Sequence, residues 1–329
     1  MNENNSYKLP WHPNKIFEID SDASFNKMAL DLFHFQYANN AVYHDYCDLI
    51  KIEKNNIDHY SKIPFLPISF FKTHDVKCFE GEPEIVFTSS GTGGINSRHE
   101  IFDLKLYEIS FMQYFTAYFG DPKDYIFLGL LPSYLERTGS SLIYMVDHLI
   151  QASQYSESGF FLNEDEKLLQ IIADNKDKKI ILFGVTYALL DLLEEYHPDL
   201  SGCIILETGG MKGKRKELTK DVLHETLKAG FNVKEIYSEY GMTELLSQAY
   251  STGTQFSCPP WMKFFTREYN DPFNYTQRKS GGINIIDLAN IHSCAFIETQ
   301  DLGKITGDHI EILGRYDNAD LRGCNFLVQ

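Results

Sequence analysis

The sequence lacks the features of a membrane, metal-cluster or nucleic-acid-binding protein. No apolar run is long enough to span a bilayer, and residues 1–8 contain no apolar stretch of the kind found in secretion signals. The six cysteines have neither metal-ligand spacing nor a compact disulfide framework. Acidic residues outnumber basic ones by 46 to 30, and the net charge of −16 argues against a broad surface for nucleic acid or anionic lipid. We therefore expect a cytoplasmic protein with reduced thiols and with neither a nucleic-acid partner nor a membrane span.

The pattern of apolar residues predicts an α/β fold. A helix is expected over residues 25–49, an extended Pro-punctuated segment over 63–72, and another helix over 106–119. Strands are then predicted at 125–131, 179–184, 203–207 and 233–237, and helices at 140–150, 164–173, 186–196 and 216–229. Such alternation is typical of a mostly parallel sheet with flanking helices. Only short strands follow residue 251 (262–267, 282–287, 295–298 and 309–313), so we expect an α/β core over 1–250 and a β-rich subdomain over 251–329.

A loop rich in hydroxyl groups and glycine follows the short apolar stretch EIVFT (84–88). Its residues are Thr88, Ser89, Ser90, Gly91, Thr92 and Gly93. Hydroxyls and accessible backbone amides at the end of a strand can wrap an anion such as phosphate. The loop is not a Walker A motif, because the Gly-Lys-Ser/Thr ending is missing. An ordinary Ser/Gly turn is the alternative.

A second candidate stretch is SEYGMTE (238–244), placed directly after a predicted strand. Ligands of open α/β sheets bind at the carboxyl ends of strands. Tyr240 offers a flat face to a base, Thr243 a hydroxyl for phosphate, and Glu244 a hard oxygen for Mg²⁺. The alternative is a tight turn at Gly241 with Glu244 capping a following helix.

Two later stretches add candidate ribose contacts. Asp301, in ETQDLG (298–303), could accept hydrogen bonds from a ribose diol, and Arg315 could donate to ribose or phosphate. Ordinary turn chemistry is the alternative for Asp301. In this order the four stretches resemble those of the adenylate-forming enzymes: acyl-CoA synthetases, aryl-CoA ligases and nonribosomal adenylation domains.

More closely, the chain resembles the acyl-protein synthetases of the bacterial luminescence fatty-acid reductase system. The stretches IPFLPISFFK (63–72), LPSYLER (131–137), ETGGMK (207–212) and LRGC (321–324) carry this likeness. The resemblance implies an AMP-forming ligase that uses ATP and Mg²⁺ to convert a carboxylic acid, expected to be a fatty acid, into an acyl-adenylate. It implies the large N-terminal domain of such enzymes, and because the sequence stops at Gln329 we expect no small C-terminal domain with its lysine.

The resemblance also assigns expected roles to single residues. Residues 88–93 would hold the ATP phosphates, with Arg98 as the cation in place of the usual Lys and Gly93 in place of the usual second Thr. Gly209 and Gly210 would line the channel for adenine and the acyl group. Tyr240 and Gly241 would lie against adenine, Thr243 would contact phosphate, Glu244 would bind Mg²⁺, Asp301 and Arg315 would hold the ribose, and Asp317 would occupy the hinge.

The expected acyl acceptor is a cysteine near the C-terminus. By resemblance Cys324 would carry the acyl group as a thioester, and its neighbour Arg322 would favour the thiolate. The expected partner is an acyl reductase or acyltransferase that takes the product. Three alternatives stay open: an unreactive tail cysteine, an acyl- or aryl-CoA ligase, and a non-catalytic nucleotide- or acyl-binding subunit.

Overall fold

The computed structural model describes residues 8–89, 94–132, 139–211, 214–215, 218–268 and 280–315. Its α-helices are Asp22–Asn39, Ala41–Leu49, Phe70–Thr73, Leu104–Phe119, Ser141–Ala152, Asp165–Asp174, Thr186–Tyr196 and Lys220–Phe231. Its strands are β1 (Leu66–Pro67), β2 (Ile85–Thr88), β3 (Arg98–Ile101), β4 (Tyr125–Leu130), β5 (Gly159–Phe160), β6 (Lys179–Val185), β7 (Cys203–Thr208), β8 (Ile236–Tyr240), β9 (Ala249–Thr252), β10 (Gln255–Ser257), β11 (Met262–Arg267), β12 (Ser280–Asp287), β13 (Phe296–Thr306) and β14 (His309–Arg315).

One half of the main sheet is parallel, in the order β8-β7-β6-β4-β5. All six residues of β4 are buried, as are six of the seven residues of β6. Strands covered by helices on both faces read as continuous apolar runs, which is why these strands were visible in the sequence. The carboxyl ends of β7 and β8 bring residues 208 and 240 to one edge of the sheet.

The other half is antiparallel and continues the same sheet. Beyond β8 the order is β9, β10, β14, β13, β12 and β11, so the described residues form a sheet of 12 strands once β1 is added. β1 is parallel to β13, with Leu66 opposite Ile297 and Pro67 opposite Glu298. These contacts confirm the α/β class with a β-rich C-terminal part. The division near residue 251, which falls within β9, stays a prediction.

The strand before the hydroxyl-glycine loop is not part of this sheet. β2 pairs with β3 in a separate two-stranded hairpin, with Thr88 opposite Arg98 and Phe87 opposite His99. The hydroxyl-glycine loop therefore follows a strand of this hairpin, whereas the stretch 238–244 begins in a strand of the main sheet.

Three expectations need correction. The helix predicted over 25–49 is two helices separated at Asn40, whose side-chain oxygen accepts a hydrogen bond from the Tyr43 N–H at 3.0 Å and caps the second helix. The segment 63–72 is not extended throughout, because residues 70–73 form a helical turn once both prolines are passed. The strand predicted at 233–237 lies three residues later, so Tyr240 belongs to the strand.

No helix in the described part of the chain is long and apolar enough to cross a membrane. The cytoplasmic location stays a prediction.

Candidate active site

The β2–β3 hairpin forms the described base of the hydroxyl-glycine loop. The Ser89 N–H donates to the Ser97 carbonyl at 3.1 Å, and the Ser97 N–H donates to Ser89 Oγ at 2.8 Å. The Thr88 N–H donates to the carbonyl of Gly139 at 2.8 Å. Residues Ser90, Gly91, Thr92 and Gly93 lie outside the described residues. The loop is therefore closed at its base by reciprocal hydrogen bonds between residues 89 and 97.

A buried histidine attaches this hairpin to the stretch after β8. His99 Nδ1 lies 2.8 Å from the Thr243 carbonyl oxygen, and its Nε2 lies 2.8 Å from Ser293 Oγ. Burial lowers the pKa of His99 to about 4, so the ring is neutral near pH 7. A carbonyl can only accept, so Nδ1 carries the proton and Nε2 accepts from the serine hydroxyl. His99 thus holds Thr243 in place.

Glu244 lies next to the base of the loop. It is 5% exposed, and burial raises the pKa of its carboxyl, while a side-chain hydrogen bond with Ser97 and the charges of Arg315 and Lys72 oppose this rise. The Glu244 carbonyl accepts a hydrogen bond from Asn290 Nδ2 at 2.7 Å. Residues 242–245 form a turn that leads into β9, so Glu244 does not cap a helix. A buried, incompletely neutralised carboxylate is the kind of oxygen ligand that Mg²⁺ takes.

The turn that carries Glu244 is held by a residue that the sequence did not single out. Asp287, at the end of β12, accepts hydrogen bonds on Oδ2 from the N–H groups of Leu246 and Ser247, both at 2.9 Å. Its Oδ1 accepts from Ser247 Oγ at 2.7 Å. Asp287 is fully buried. Strand β12 thereby fixes the backbone that follows the candidate metal ligand.

Tyr240, Asp301 and Arg315 form one connected group. The Tyr240 hydroxyl donates to Asp301 Oδ2 at 2.7 Å, and Arg315 Nε lies 3.6 Å from Asp301 Oδ1. Asp301 and Arg315 are opposite each other in the β13–β14 register. Burial raises the pKa of Asp301, and the Arg315 charge and the Tyr240 hydroxyl oppose it. The charge of Arg315 also opposes the rise in the Glu244 pKa, and Tyr240 and Glu244 lie four positions apart on one stretch.

Gly209 and Gly210 follow β7 at the same sheet edge. Gly209 has φ +72°, a conformation that favours glycine, and its carbonyl lies 3.4 Å from Thr186 Oγ1. Gly241 follows Tyr240, and a Cβ at this position would collide with a carboxyl oxygen of Glu239. Gly209 is thus favoured by its backbone conformation, and Gly241 by the closeness of the Glu239 side chain.

A buried ionisable network lies beneath these glycines. Glu207 pairs with Lys220 and accepts hydrogen bonds from Ser238 Oγ and Thr186 Oγ1. Burial alone would raise the pKa of Glu207, but the Lys220 charge and hydrogen bonds with His224, Lys220 and Ser238 lower it to about 2. Glu239 accepts from Thr208 Oγ1, and burial together with the Glu207 charge raises its pKa to about 7. The sequence signal that could have revealed this network is a pair of acidic residues within apolar parallel strands.

The remaining predicted residues lie at the border of the site or outside the described part. Arg98 is on β3, 57% exposed, with Nη2 at 3.6 Å from Glu100 Oε1. Asp317 and Cys324 lie outside the described residues. The structure therefore brings together the base of the loop (Thr88 and Ser89), Thr243, Glu244, Tyr240, Asp301 and Arg315.

The fold is that of adenylate-forming ligases. An open conformation of 2-hydroxyisobutyryl-CoA ligase, in complex with 2-HIB-AMP and CoA, superposes with a TM-score of 0.68 at 12% identity, over 97% of this chain and 75% of the ligase. ATP-bound MatB from Rhodopseudomonas palustris superposes with a TM-score of 0.54 at 19% identity, over 72% of this chain and 49% of MatB. At these identities the likeness establishes the fold.

Sequence comparison identifies the family. The family model described as "Acyl-protein synthetase, LuxE" matches residues 9–329. A long-chain-fatty-acid–luciferin-component ligase of Vibrio harveyi is 23% identical over 91% of this chain and 85% of its own length. A ligase of the same description from Photorhabdus luminescens is 40% identical over 73 residues, which are 22% of this chain and 62% of that protein.

The predicted enzyme class, a ligase that activates an acid with ATP, is confirmed by the family model together with the adenylate-forming fold. The chain belongs to the acyl-protein synthetase family, LuxE.

Proposed function

We propose that this synthetase binds Mg²⁺ and ATP between the β2–β3 hairpin, residues 240–244 and the β13–β14 pair, and uses them to activate a long-chain fatty acid. The acyl group then passes to Cys324. The observation that carries the proposal is the contact group itself: Tyr240 bonds Asp301 across 61 positions of the sequence, and His99 bonds Thr243 across 144. Each contact joins residues that are far apart in the sequence, and Tyr240 and Thr243 belong to one stretch, which supports a single nucleotide site.

The proposed site offers suitable contacts for the ribose, the phosphates and the metal ion of the nucleotide. Asp301, held by Tyr240 and Arg315, is an acceptor for the ribose hydroxyls, and Arg315 is a donor to ribose or to the α-phosphate. Glu244 would hold Mg²⁺, which supplies charge neutralisation for the phosphates. No cluster of three or more His, Cys, Asp or Glu side chains that could hold a metal occurs in the described parts of the chain. Mg²⁺ would therefore share its coordination between Glu244, water and phosphate oxygens.

The reaction has two displacements. The carboxylate of the acid attacks the α-phosphorus of ATP, the bond to the bridging oxygen breaks, and pyrophosphate leaves. Its charge would be held by the hydroxyl-glycine loop through groups other than the Thr88 and Ser89 amides, which already donate to carbonyls of this chain. A thiolate then attacks the acyl carbon, and AMP leaves with the electron pair of the broken C–O bond. The chain supplies positioning and charge in both steps.

The thiol is proposed to be Cys324 because the described cysteines are unsuited to the task. Burial raises the pKa of Cys47 and Cys258 to about 12 and that of Cys203 to about 11. A thiol with such a pKa provides almost no thiolate near pH 7. Cys78 and Cys294 are fully buried, and burial raises their pKa as well.

The test combines pyrophosphate release with intact mass. The protein is incubated with ATP, Mg²⁺ and a series of fatty acids of increasing chain length. Its intact mass is then measured with and without treatment by neutral hydroxylamine, which cleaves thioesters. We expect pyrophosphate and one hydroxylamine-sensitive acyl adduct, lost in Cys324→Ser and kept in the matched control Cys203→Ser. If none of the acids in the series causes release of pyrophosphate, the proposed acyl activation is refuted.

The same experiment separates the alternatives. Addition of CoA that yields soluble acyl-CoA while the protein stays unmodified would favour an acyl-CoA ligase. Bound nucleotide without pyrophosphate release, even after addition of an acyl reductase from a luminescence system, would favour a non-catalytic subunit. An adduct that survives Cys324→Ser would move the acceptor to another residue while leaving acid activation in place.

A further inference from the structure

A lysine of the N-terminal region lies at the border of the candidate nucleotide site. Lys72 belongs to the helical turn Phe70–Thr73, which follows β1. β1 runs parallel to β13, and the Ile68 N–H donates to the Glu298 carbonyl at 2.9 Å. Glu298 precedes Asp301 on that strand. The turn that carries Lys72 is therefore attached to the same strand as the proposed ribose acceptor.

The residue before Lys72 attaches the turn to the other side of the site. Phe71 is 1% exposed, and its ring meets the His99 ring edge to face at a centroid distance of 5.5 Å. His99 in turn bonds the Thr243 carbonyl. Consecutive helical residues differ in direction by about 100°, and Lys72 is exposed where Phe71 is buried. The turn that carries Lys72 is thus attached on one side to the strand of Asp301 and on the other, through Phe71, to the histidine that bonds Thr243.

Lys72 has no carboxylate partner within ion-pair distance in the described part of the chain, whereas the neighbouring cations do. Lys77 Nζ lies 3.0 Å from Glu100 Oε2, and Arg98 shares the same carboxylate at 3.6 Å. Together with Arg315, the positive charge of Lys72 opposes the rise in pKa that burial causes at the Glu244 carboxyl. An exposed ammonium beside this site is available to an anionic ligand.

We propose that the Lys72 ammonium binds the β- and γ-phosphates of ATP and holds the pyrophosphate as it leaves. This inference rests on the proposed function. An ammonium on a flexible stem is a mobile point charge with three donors, suited to a phosphate chain that must be gripped and then released. Its attraction grows as the leaving pyrophosphate gains charge, so the side chain would favour the transition state over bound ATP.

The test measures binding of the phosphates separately from binding of the nucleoside. Equilibrium dissociation constants for Mg²⁺-ATP, Mg²⁺-pyrophosphate and AMP are measured for wild type, Lys72→Met, Lys72→Arg and the control Lys62→Met. Lys62 is also exposed and in the same N-terminal region, but pairs with Asp58. We expect Lys72→Met to weaken ATP and pyrophosphate binding about tenfold, which corresponds to about 1.4 kcal/mol, and to leave AMP binding unchanged.

Lys72→Arg keeps the charge and should recover most of the ATP affinity, and Lys62→Met should bind all three ligands as wild type does. Lys72→Gln replaces the methionine variant if thermal melting shows that Lys72→Met is unfolded. If Lys72→Met binds ATP and AMP as wild type does, or loses the same factor of affinity for both, the role of Lys72 is overturned and the proposed function is left intact. If the wild-type protein binds no ATP, both the role of Lys72 and the proposed function are refuted.

Discussion

Glu239 offers the sharpest test of the electrostatics beneath the site. The residue is 7% exposed, accepts a hydrogen bond from Thr208 Oγ1 and lies near the ionised Glu207. Burial first, and the Glu207 charge second, raise its pKa from 4.5 to about 7. We predict that Glu239→Gln stabilises the protein above neutral pH. The amide oxygen of glutamine can still accept the Thr208 hydroxyl, so the change removes the charge and keeps the shape.

The magnitude follows from the shift in pKa. A rise from 4.5 to about 7 amounts to about 3 kcal/mol, at 1.36 kcal/mol per pKa unit. Because the pKa of Glu239 is higher in the folded state, its carboxyl is protonated in both states below pH 4.5 and does not lower the free energy of unfolding there. The loss of stability grows as the pH rises from 4.5 towards 7. The Glu239→Gln variant should therefore gain about 1 kcal/mol at pH 5 and about 3 kcal/mol at pH 8 relative to wild type.

Urea unfolding at several pH values between 5 and 8, followed by the fluorescence of the buried Trp261, measures this difference. The lowered pKa of Glu207, about 2, does not interfere, because its stabilising contribution is lost only as the pH falls from 4.5 towards 2. Glu235→Gln, an exposed change near the same strand, is the control and should show no such pH dependence. A Glu239→Gln variant destabilised by the same amount at every pH would refute the reasoning.

Three further changes test other parts of the site. Glu244→Gln should raise the Mg²⁺ concentration needed for half-maximal pyrophosphate release about tenfold, since a neutral amide is a weaker ligand for a hard cation. Asp301→Asn should weaken ATP binding about tenfold yet scarcely affect 2′,3′-dideoxy-ATP, because the ribose hydroxyls lose a charged acceptor. Gly282→Ala should lower the free energy of unfolding by about 1–3 kcal/mol, because a Cβ there would lie 2.5 Å from the buried Arg267 guanidinium.

Each of these has a contrary outcome. An unchanged Mg²⁺ requirement would remove Glu244 as the metal ligand, and an equal loss for ATP and its dideoxy analogue would remove Asp301 as the ribose acceptor. A Gly282→Ala variant as stable as wild type in urea would mean that the Arg267 side chain moves away at no cost.

The parallel half of the sheet could be predicted because its signal is local. β4 and β6 are unbroken apolar runs between polar turns, and the predicted helix at 186–196 matches Thr186–Tyr196. The candidate residues Tyr240, Glu244 and Asp301 could be proposed from the sequence because they belong to short stretches of fixed order; their roles stay predictions. Patterns within a few residues are what a sequence shows directly.

The rest depends on contacts between distant parts of the chain. Nothing in Leu66 or Pro67 indicates a partner at residues 297–298, and a two-residue strand is too short to show a period. The β2–β3 hairpin was missed because the strand Arg98–Ile101 has two charged residues and the nine residues between the strands are more than a standard hairpin loop contains. Asp287 and Glu239 were missed for another reason: their importance comes from burial, which only the assembled sheet provides.

The contact between the helix Asp22–Asn39 and residues 290–295 has a consequence for folding during synthesis. The Gln36 side chain donates to the carbonyls of Asn290 and Ile291, and its oxygen accepts from the Ala295 N–H. The first helix cannot make these hydrogen bonds until residues 254 positions downstream have been synthesised, which at typical rates takes about 10–50 s. Until then its apolar side lies open to chaperones and to neighbouring nascent chains. A site built from residues 240–244 and the β13–β14 pair can form only after residue 315 has been synthesised.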